Sequence, residues 1–158
     1  MTTQTSVDAR VFSRCIRRRV VRFSVDGSMS MLADRLEGRL HNQPDDLVID
    51  SGGRIWFTDP LPHPRVLEPP VDHASVLRLQ RDGAGAWRLE RMTYDTVFPT
   101  GILLSADERT LYVSENPKDA AGRSELRAYP IRSDGTLGPC RMLQTFRGAC
   151  GVHGMCLD

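Results

Sequence analysis

A chain of 158 residues, 40% hydrophobic and 26% charged, is long enough to bury a core of its own. Its 21 basic and 20 acidic residues leave a net charge of +1, which supplies no global field to draw nucleic acid or a membrane surface. No window approaches the roughly 18 consecutive apolar residues of a membrane span, and no apolar stretch follows the early basic residues, so no secretory leader is expected. The cysteines Cys15, Cys140, Cys150 and Cys156 show neither C-x-x-C nor zinc-ribbon spacing. Free, partly buried thiols in a reducing, cytoplasmic setting are therefore expected, with Cys156 packed between Met155 and Leu157 in a strand pattern.

In chain order, the basic run Arg17-Arg18-Arg19 reads as an exposed edge whose charges discourage aggregation. Val20 to Phe23 and Met29 to Leu32 read as strands flanking the turn Asp26-Gly27-Ser28. Leu47 to Ile49 and Ile55 to Thr58 flank Ser51-Gly52-Gly53. A connector from Pro60 to Pro70, rich in proline, cannot pair as a central strand and reads as a loop. Val76 to Leu79, Trp87 to Met92, Gly101 to Leu104 and Thr110 to Ser114 follow, then Leu126 to Ile131 and Met142 to Phe146. The pattern holds about eleven strands and no amphipathic helix. Glycine at the Asp-Gly turns is expected to supply the positive φ of tight hairpins.

These elements echo one another. Pro44-Asp45-Asp46-Leu47-Val48-Ile49-Asp50 recurs as Pro99-Thr100-Gly101-Ile102-Leu103-Leu104-Ser105 and opens again at Val152-His153-Gly154-Met155-Cys156-Leu157-Asp158. The spacing is 55 from Asp50 to Ser105 and 53 from Ser105 to Asp158. In step with it, Val20-Val21-Arg22-Phe23 corresponds to Val76-Leu77-Arg78-Leu79 and to Leu126-Arg127-Ala128-Tyr129. A period near 50 built from short strands predicts an all-β propeller, partial over 19–158. Residues 1–18 are left as an N-terminal segment, either disordered or part of a broken blade. Propellers close with about four to eight blades, and two complete units plus parts of two others do not close. Either the chain is a fragment of a longer protein, or copies of it form a homo-oligomeric ring through open blade edges.

In a propeller the innermost strands line a central channel, and residues at their starts converge. Asp45, Thr100 and His153 hold equivalent positions there, so a carboxylate, a hydroxyl and an imidazole are expected around one cavity, able to bind a divalent cation or polarise a substrate. The plainer alternative is that each caps its own turn. Trp56 and Trp87 read as core. Asp59 is expected to anchor the loop that follows it, and His41 to be structural or exposed. His63, His73 and Glu68 lie in or beside the proline-rich connector, from which Glu68 reaches toward a substrate over the channel mouth.

The stretches Gln43 to Asp50, Gly53 to Pro60, Gly101 to Ser105, Arg109 to Glu115 and Gly151 to Asp158 resemble successive motifs of the senescence marker protein, gluconolactonase and luciferin-regenerating enzyme family. That resemblance implies a six-bladed propeller that uses a divalent metal to hydrolyse sugar lactones. It also implies a site built on the family motifs Pro-Asn-Asp, Pro-Asn-Gly and Asp-Gly-Met, which here stand as Pro44-Asp45-Asp46, Pro99-Thr100-Gly101 and His153-Gly154-Met155. By this analogy Asp45 holds metal or substrate, Thr100 is a weak ligand or a group standing behind the ligands, and His153 is ligand or general base. Asp at position 45 keeps an oxygen ligand and adds charge. Thr at position 100 loses a carbonyl oxygen. His at position 153 replaces an anion with an imidazole, a group that suits zinc over calcium and still takes a proton near neutral pH. Zinc, calcium, manganese and magnesium are the candidate cofactors, and a small-molecule lactone is the expected partner. The alternative is a non-catalytic propeller piece that self-associates through its blade edges.

Overall fold

The computed structural model describes residues 9–14, 18–62, 71–117, 123–147 and 151–157. Among them lie thirteen strands and no helix. β1 (Ala9–Arg14), β2 (Arg19–Ser24) and β3 (Met29–Ala33) form a three-stranded sheet, and β4 (Arg35–Leu36) with β5 (Arg39–Leu40) forms a small ribbon. Two four-stranded sheets follow: β6 (Leu47–Ile49), β7 (Ile55–Asp59), β8 (Ser75–Arg81) and β9 (Trp87–Arg91), then β10 (Pro99–Leu104), β11 (Thr110–Glu115), β12 (Ser124–Pro130) and β13 (Arg141–Phe146). Each strand pairs antiparallel with its sequence neighbour, so each sheet is a meander, the topology of a propeller blade. We number the three sheets blades 1 to 3.

Blade stacking explains why β7 reads as a continuous buried run and not as an alternating one. Ile55 and Phe57 face blade 1 in a core with Val20, Leu36, Val71, Leu77 and Leu79. Trp56, from the opposite face of the same strand, packs toward blade 3 with Val76, Ile102, Leu104, Leu111, Val113 and Tyr129. Both faces of β7 are thus removed from water, at about 1.5–3 kcal/mol for each large side chain buried. The Trp56 indole N–H donates to Asp50 at 2.9 Å, and Asp50 also accepts from the Arg54 backbone N and Nε. Arg78 lies over the Trp56 ring at 5.0 Å and pairs with Glu90 at 2.7 Å. At the turn ending β6, Glu108 of blade 3 accepts from both the backbone N and the hydroxyl of Ser51, at 2.7 and 2.6 Å.

Several details depart from the sequence expectation. In the turn after β8 the left-handed residue is Gly85, not Gly83; Gly27, Gly53 and Gly135 take positive φ as expected. Glu108 adopts φ 54 without being glycine, in the turn where its carboxylate clasps Ser51. Arg18 is no exposed edge charge, because its half-buried side chain donates to the carbonyls of His41 and Asn42 at 2.5 and 3.0 Å. The sequence Val152 to Leu157, expected to open a strand, carries no ladder. Cys156 and Cys140 are exposed where partial burial was expected, since no sheet forms over residue 156 and β13 is an outer strand. Cys15, Cys150, Arg17 and most of the proline-rich connector lie outside the described residues.

Candidate functional site

The starts of the inner strands β6 and β10 lie side by side at one pole, and a chain of hydrogen bonds ties them. Asp46 accepts from the Ile102 backbone N at 3.2 Å through one carboxylate oxygen and from the Leu47 N at 2.9 Å through the other. The Thr58 hydroxyl donates to the Thr100 carbonyl at 2.6 Å and receives the Asp46 N–H at 3.1 Å. From Thr100 the network continues to the segment bearing His153. Asn116 places one amide hydrogen on Thr100 Oγ1 at 2.6 Å and the other on the Val152 carbonyl at 2.7 Å. A Cβ on Gly101 would overlap the His153 carbonyl oxygen, so that residue has to be glycine for the two segments to touch.

The three pivots therefore come to one pole, yet their side chains differ in kind. Asp45 is exposed, its backbone N held by the Thr58 carbonyl at 3.0 Å. His153 is exposed. Thr100 is 2% exposed, and its hydroxyl is engaged by Asn116 and by Ser114 Oγ at 3.0 Å, while Ser114 in turn accepts from the Gly101 N at 2.7 Å. Thr100 stands as an internal brace. Glu68 and His63 lie outside the described residues, and His73 is half-buried with its carbonyl accepting from Asn42 Nδ2 at 3.0 Å.

A divalent cation of the kind the family resemblance implies does not fit this donor set. Among the described residues no three His, Cys, Asp or Glu side chains come together, and the Thr100 oxygen is already committed. Hard cations take six or more oxygen ligands, and zinc takes four ligands, several of them anionic or imidazole.

Two acids frame the pole by the same device. Asp59, at the end of β7, accepts from the backbone N of Asn42 and Gln43, both at 2.9 Å. Glu115, at the end of β11, accepts from Val97 N and Phe98 N at 3.0 and 2.9 Å. In both blades the carboxylate clamps the two amides just before the proline that leads into the inner strand. Asp59 thus anchors the segment that leads into the inner strand, while most of the loop that follows it lies outside the described residues. Burial pushes its carboxyl up to about 7, against the opposing pull of those amide donors and of Arg18 and Arg91. Burial pushes Glu115 upward as well.

Sequence reasoning missed Asn116, Ser114 and Glu115 as parts of the site. Their signal lay in the repeat: Ser114-Glu115 occupies the place of Thr58-Asp59, so a polar residue and an acid recur where β7 and β11 reach the pole.

Residues 3–158 match the family model described as the SMP-30/Gluconolactonase/LRE-like region. The chain belongs to this family. It is 30% identical over 124 residues to a gluconolactonase of Zymomonas mobilis, an alignment covering 75% of this chain and 32% of that protein. A solved gluconolactonase from Xanthomonas campestris superposes with a TM-score of 0.78 at 34% identity, covering 95% of this chain and 49% of that one. A luciferin-regenerating enzyme shares the fold, with a TM-score of 0.64 at 18% identity over 92% of this chain and 46% of its own. This gluconolactonase-like chain thus spans about half the length of its structural relatives and a third of the curated one.

Proposed function

We propose that this chain supplies half of the active-site pole of a lactone hydrolase acting on a gluconolactone-type cyclic ester. The observation that carries the reading is the continuous network from Asp46 through Thr58, Thr100 and Asn116 to Val152, which gathers three blade starts at one pole. The matched relatives named gluconolactonase support the substrate class. In this reading the exposed Asp45 carboxylate accepts hydrogen bonds from substrate hydroxyls. The His153 imidazole takes a proton from the water that adds to the ring carbonyl, then returns it to the ring oxygen as the C–O bond opens to the hydroxy acid. Thr100 and Asn116 hold the two pivots in register and touch no substrate. Because the described donor set does not fit a divalent cation, no step is routed through one.

A second reading, a blade module without catalysis, is favoured by the burial of the Thr100 hydroxyl in internal hydrogen bonds. Hydrolysis of glucono-δ-lactone by the folded protein separates the two. The assay is run after chelator treatment, again with zinc, manganese and calcium in turn, and beside His153→Ala. The lactonase reading expects a rate above the spontaneous one that falls by about 100-fold or more in the variant, the usual scale of general base catalysis. Equal rates for wild type, variant and buffer under every metal would leave the module reading standing.

A further inference from the structure

The two seams of blade 2 are filled differently toward the rim. On the blade 3 side, charged side chains of blade 2 occupy the seam. Arg78 lies over the Trp56 ring and donates to the Gly135 carbonyl, Glu90 pairs with Arg78 at 2.7 Å, and Arg88 pairs with Glu90 at 3.1 Å. On the blade 1 side a groove of about 720 Å³ runs between β3 and β9, past the β4–β5 ribbon. The buried Leu36 and Leu79 line it, together with the half-buried Leu32, Ala33, Trp87 and Leu89, so apolar surface continuous with the core of this seam meets water there.

β9 brings a second feature to the same groove. Met92 N donates to the Val76 carbonyl and Asp82 N to the Ala86 carbonyl. Residues that bond inward alternate along an antiparallel ladder, so Arg88 and Glu90 complete that set, while Trp87, Leu89 and Arg91 turn their backbone N–H and C=O away from β8. β9 is the last strand of its blade and pairs with β8 alone among the described residues. The side chains of Trp87, Leu89 and Arg91 line the groove as well. Apolar contact and idle backbone groups are thus offered along one line, which suits an extended chain that pairs with the edge and sends alternate side chains into the groove.

Charge narrows the occupant. Of the groove's carboxylates, Glu90 is held by Arg78 and Arg88, and Asp82 accepts from Ala84 N and Ala86 N, both at 2.9 Å. The cations are engaged too: Arg91 pairs with Asp72 at 3.0 Å, Arg35 donates to the Gly38 carbonyl at 3.0 Å, and Arg81 lies over the Trp87 ring at 4.4 Å. Asp34 and Glu37, on the opposite wall, have no ion pair among the described residues, and the His41 ring that Asp34 acts on is kept neutral by burial. Two carboxylates without counter-ions beside apolar walls fit a cationic side chain flanked by apolar ones.

We propose that the groove between β3 and β9 binds an extended peptide segment of a partner protein, which adds as a further strand to β9, lays an apolar side chain between Leu32 and Leu89, and sets a lysine or arginine against Asp34 and Glu37. Both walls lie within this chain, and the site stands whether or not a lactone is hydrolysed at the pole.

Amide chemical shifts of the isotope-labelled protein test this during titration with a heptapeptide that alternates threonine with leucine and lysine. The expected result is saturable shifts centred on Trp87, Leu89 and Arg91, with binding weakened about fivefold or more when glutamate replaces lysine. The double variant Asp34→Asn, Glu37→Gln is expected to erase that preference while the β9 amides still respond; neither side chain is buried, so the fold is kept. Methylating the peptide amides that donate to β9 is expected to abolish binding, because the strand hydrogen bonds are lost. Absent or misplaced shifts, equal affinity for the lysine and glutamate peptides, a preference that survives in the double variant, or binding indifferent to methylation would overturn the proposal.

Discussion

The seam between blades 1 and 2 and the seam between blades 2 and 3 share the central blade but treat buried polarity differently. In the second seam the large side chain, Trp56, has its N–H on Asp50 and two guanidinium groups, Arg54 and Arg78, over its ring at 5.7 and 5.0 Å. In the first, His41 is fully buried and stacks on Phe57 at 5.5 Å; the Arg35 backbone lies against its ring, but neither ring nitrogen makes a well-aligned hydrogen bond among the described residues. Nearby, Asn42 Oδ1 and one Arg18 nitrogen are also buried without partners among the described residues. A polar group taken from water without a partner costs about 1–3 kcal/mol, so the first seam holds a penalty that the Trp56 indole escapes. The second seam has a buried orphan of its own in Arg78 Nε, so the difference lies in the large ring each seam holds: the Trp56 indole is satisfied, whereas the first seam holds a titratable imidazole that is not.

The comparison breaks first, if it is wrong, at Trp56. Trp56→Ala is expected to cost about 3–5 kcal/mol, from lost packing and from an Asp50 carboxylate left short of a donor. Urea denaturation reads this directly, and a loss under about 1.5 kcal/mol would place the stability elsewhere.

Next in size is Gly101→Ala. The neighbouring atom is a backbone carbonyl that cannot swing aside, so the segment from residue 151 to 157 must shift, at about 1–3 kcal/mol. Hydrogen exchange in that segment should accelerate. Gly83→Ala, with nothing within 4 Å of the added carbon, serves as the control and should be neutral or slightly stabilising.

The smallest effect in the wild type sharpens the first seam. Asp59 is pushed up to about 7, so the folded state holds its proton longer than the unfolded state does, and stability is lost as pH rises from about 4 toward 7. His41 is pushed down to about 4 by burial, with Arg18 adding to that shift and Asp34 and the Arg35 carbonyl opposing it. The unfolded state therefore binds the extra proton, and stability is gained over the same interval up to about 6.5. The two slopes oppose, and the wild-type melting temperature should be nearly flat from pH 4 to 6.5. His41→Phe removes the rising limb and should leave a stability that falls with pH, steepened by Glu115, which burial shifts in the same direction as Asp59. Asp59→Asn removes the larger falling limb. Melting curves of both variants that track the wild type in slope would show that neither group titrates with folding.

Much of the fold was legible because its signals are local. The turn pairs Asp26-Gly27 and Asp134-Gly135 and the runs they separate fix hairpins from a few adjacent residues, and the repeat of those runs fixes the blade. The ribbon β4–β5 escaped because a two-residue ladder leaves no periodicity to read. At the pole, repetition was enough to bring Asp45, Thr100 and His153 to one end, but it could not tell which side chains face outward. Thr100 turns inward because Ser114 and Asn116 wait beneath it, residues 14 and 16 positions away whose hydrogen bonds exist only once β10 and β11 are paired.

The sequence by itself therefore determined the strand order, the blade repeat and the family, all of which rest on contacts between neighbours in the chain. Tertiary structure alone decided that Asp59 and Glu115 clamp the amides ahead of the inner strands, that Arg18 is drawn inward to the His41 and Asn42 carbonyls, and that Thr100 is a brace. Those outcomes depend on which polar group lies across a seam from which backbone N–H or carbonyl. That pairing is set by how blades stack, and burial then makes each unpaired atom costly enough to fix it.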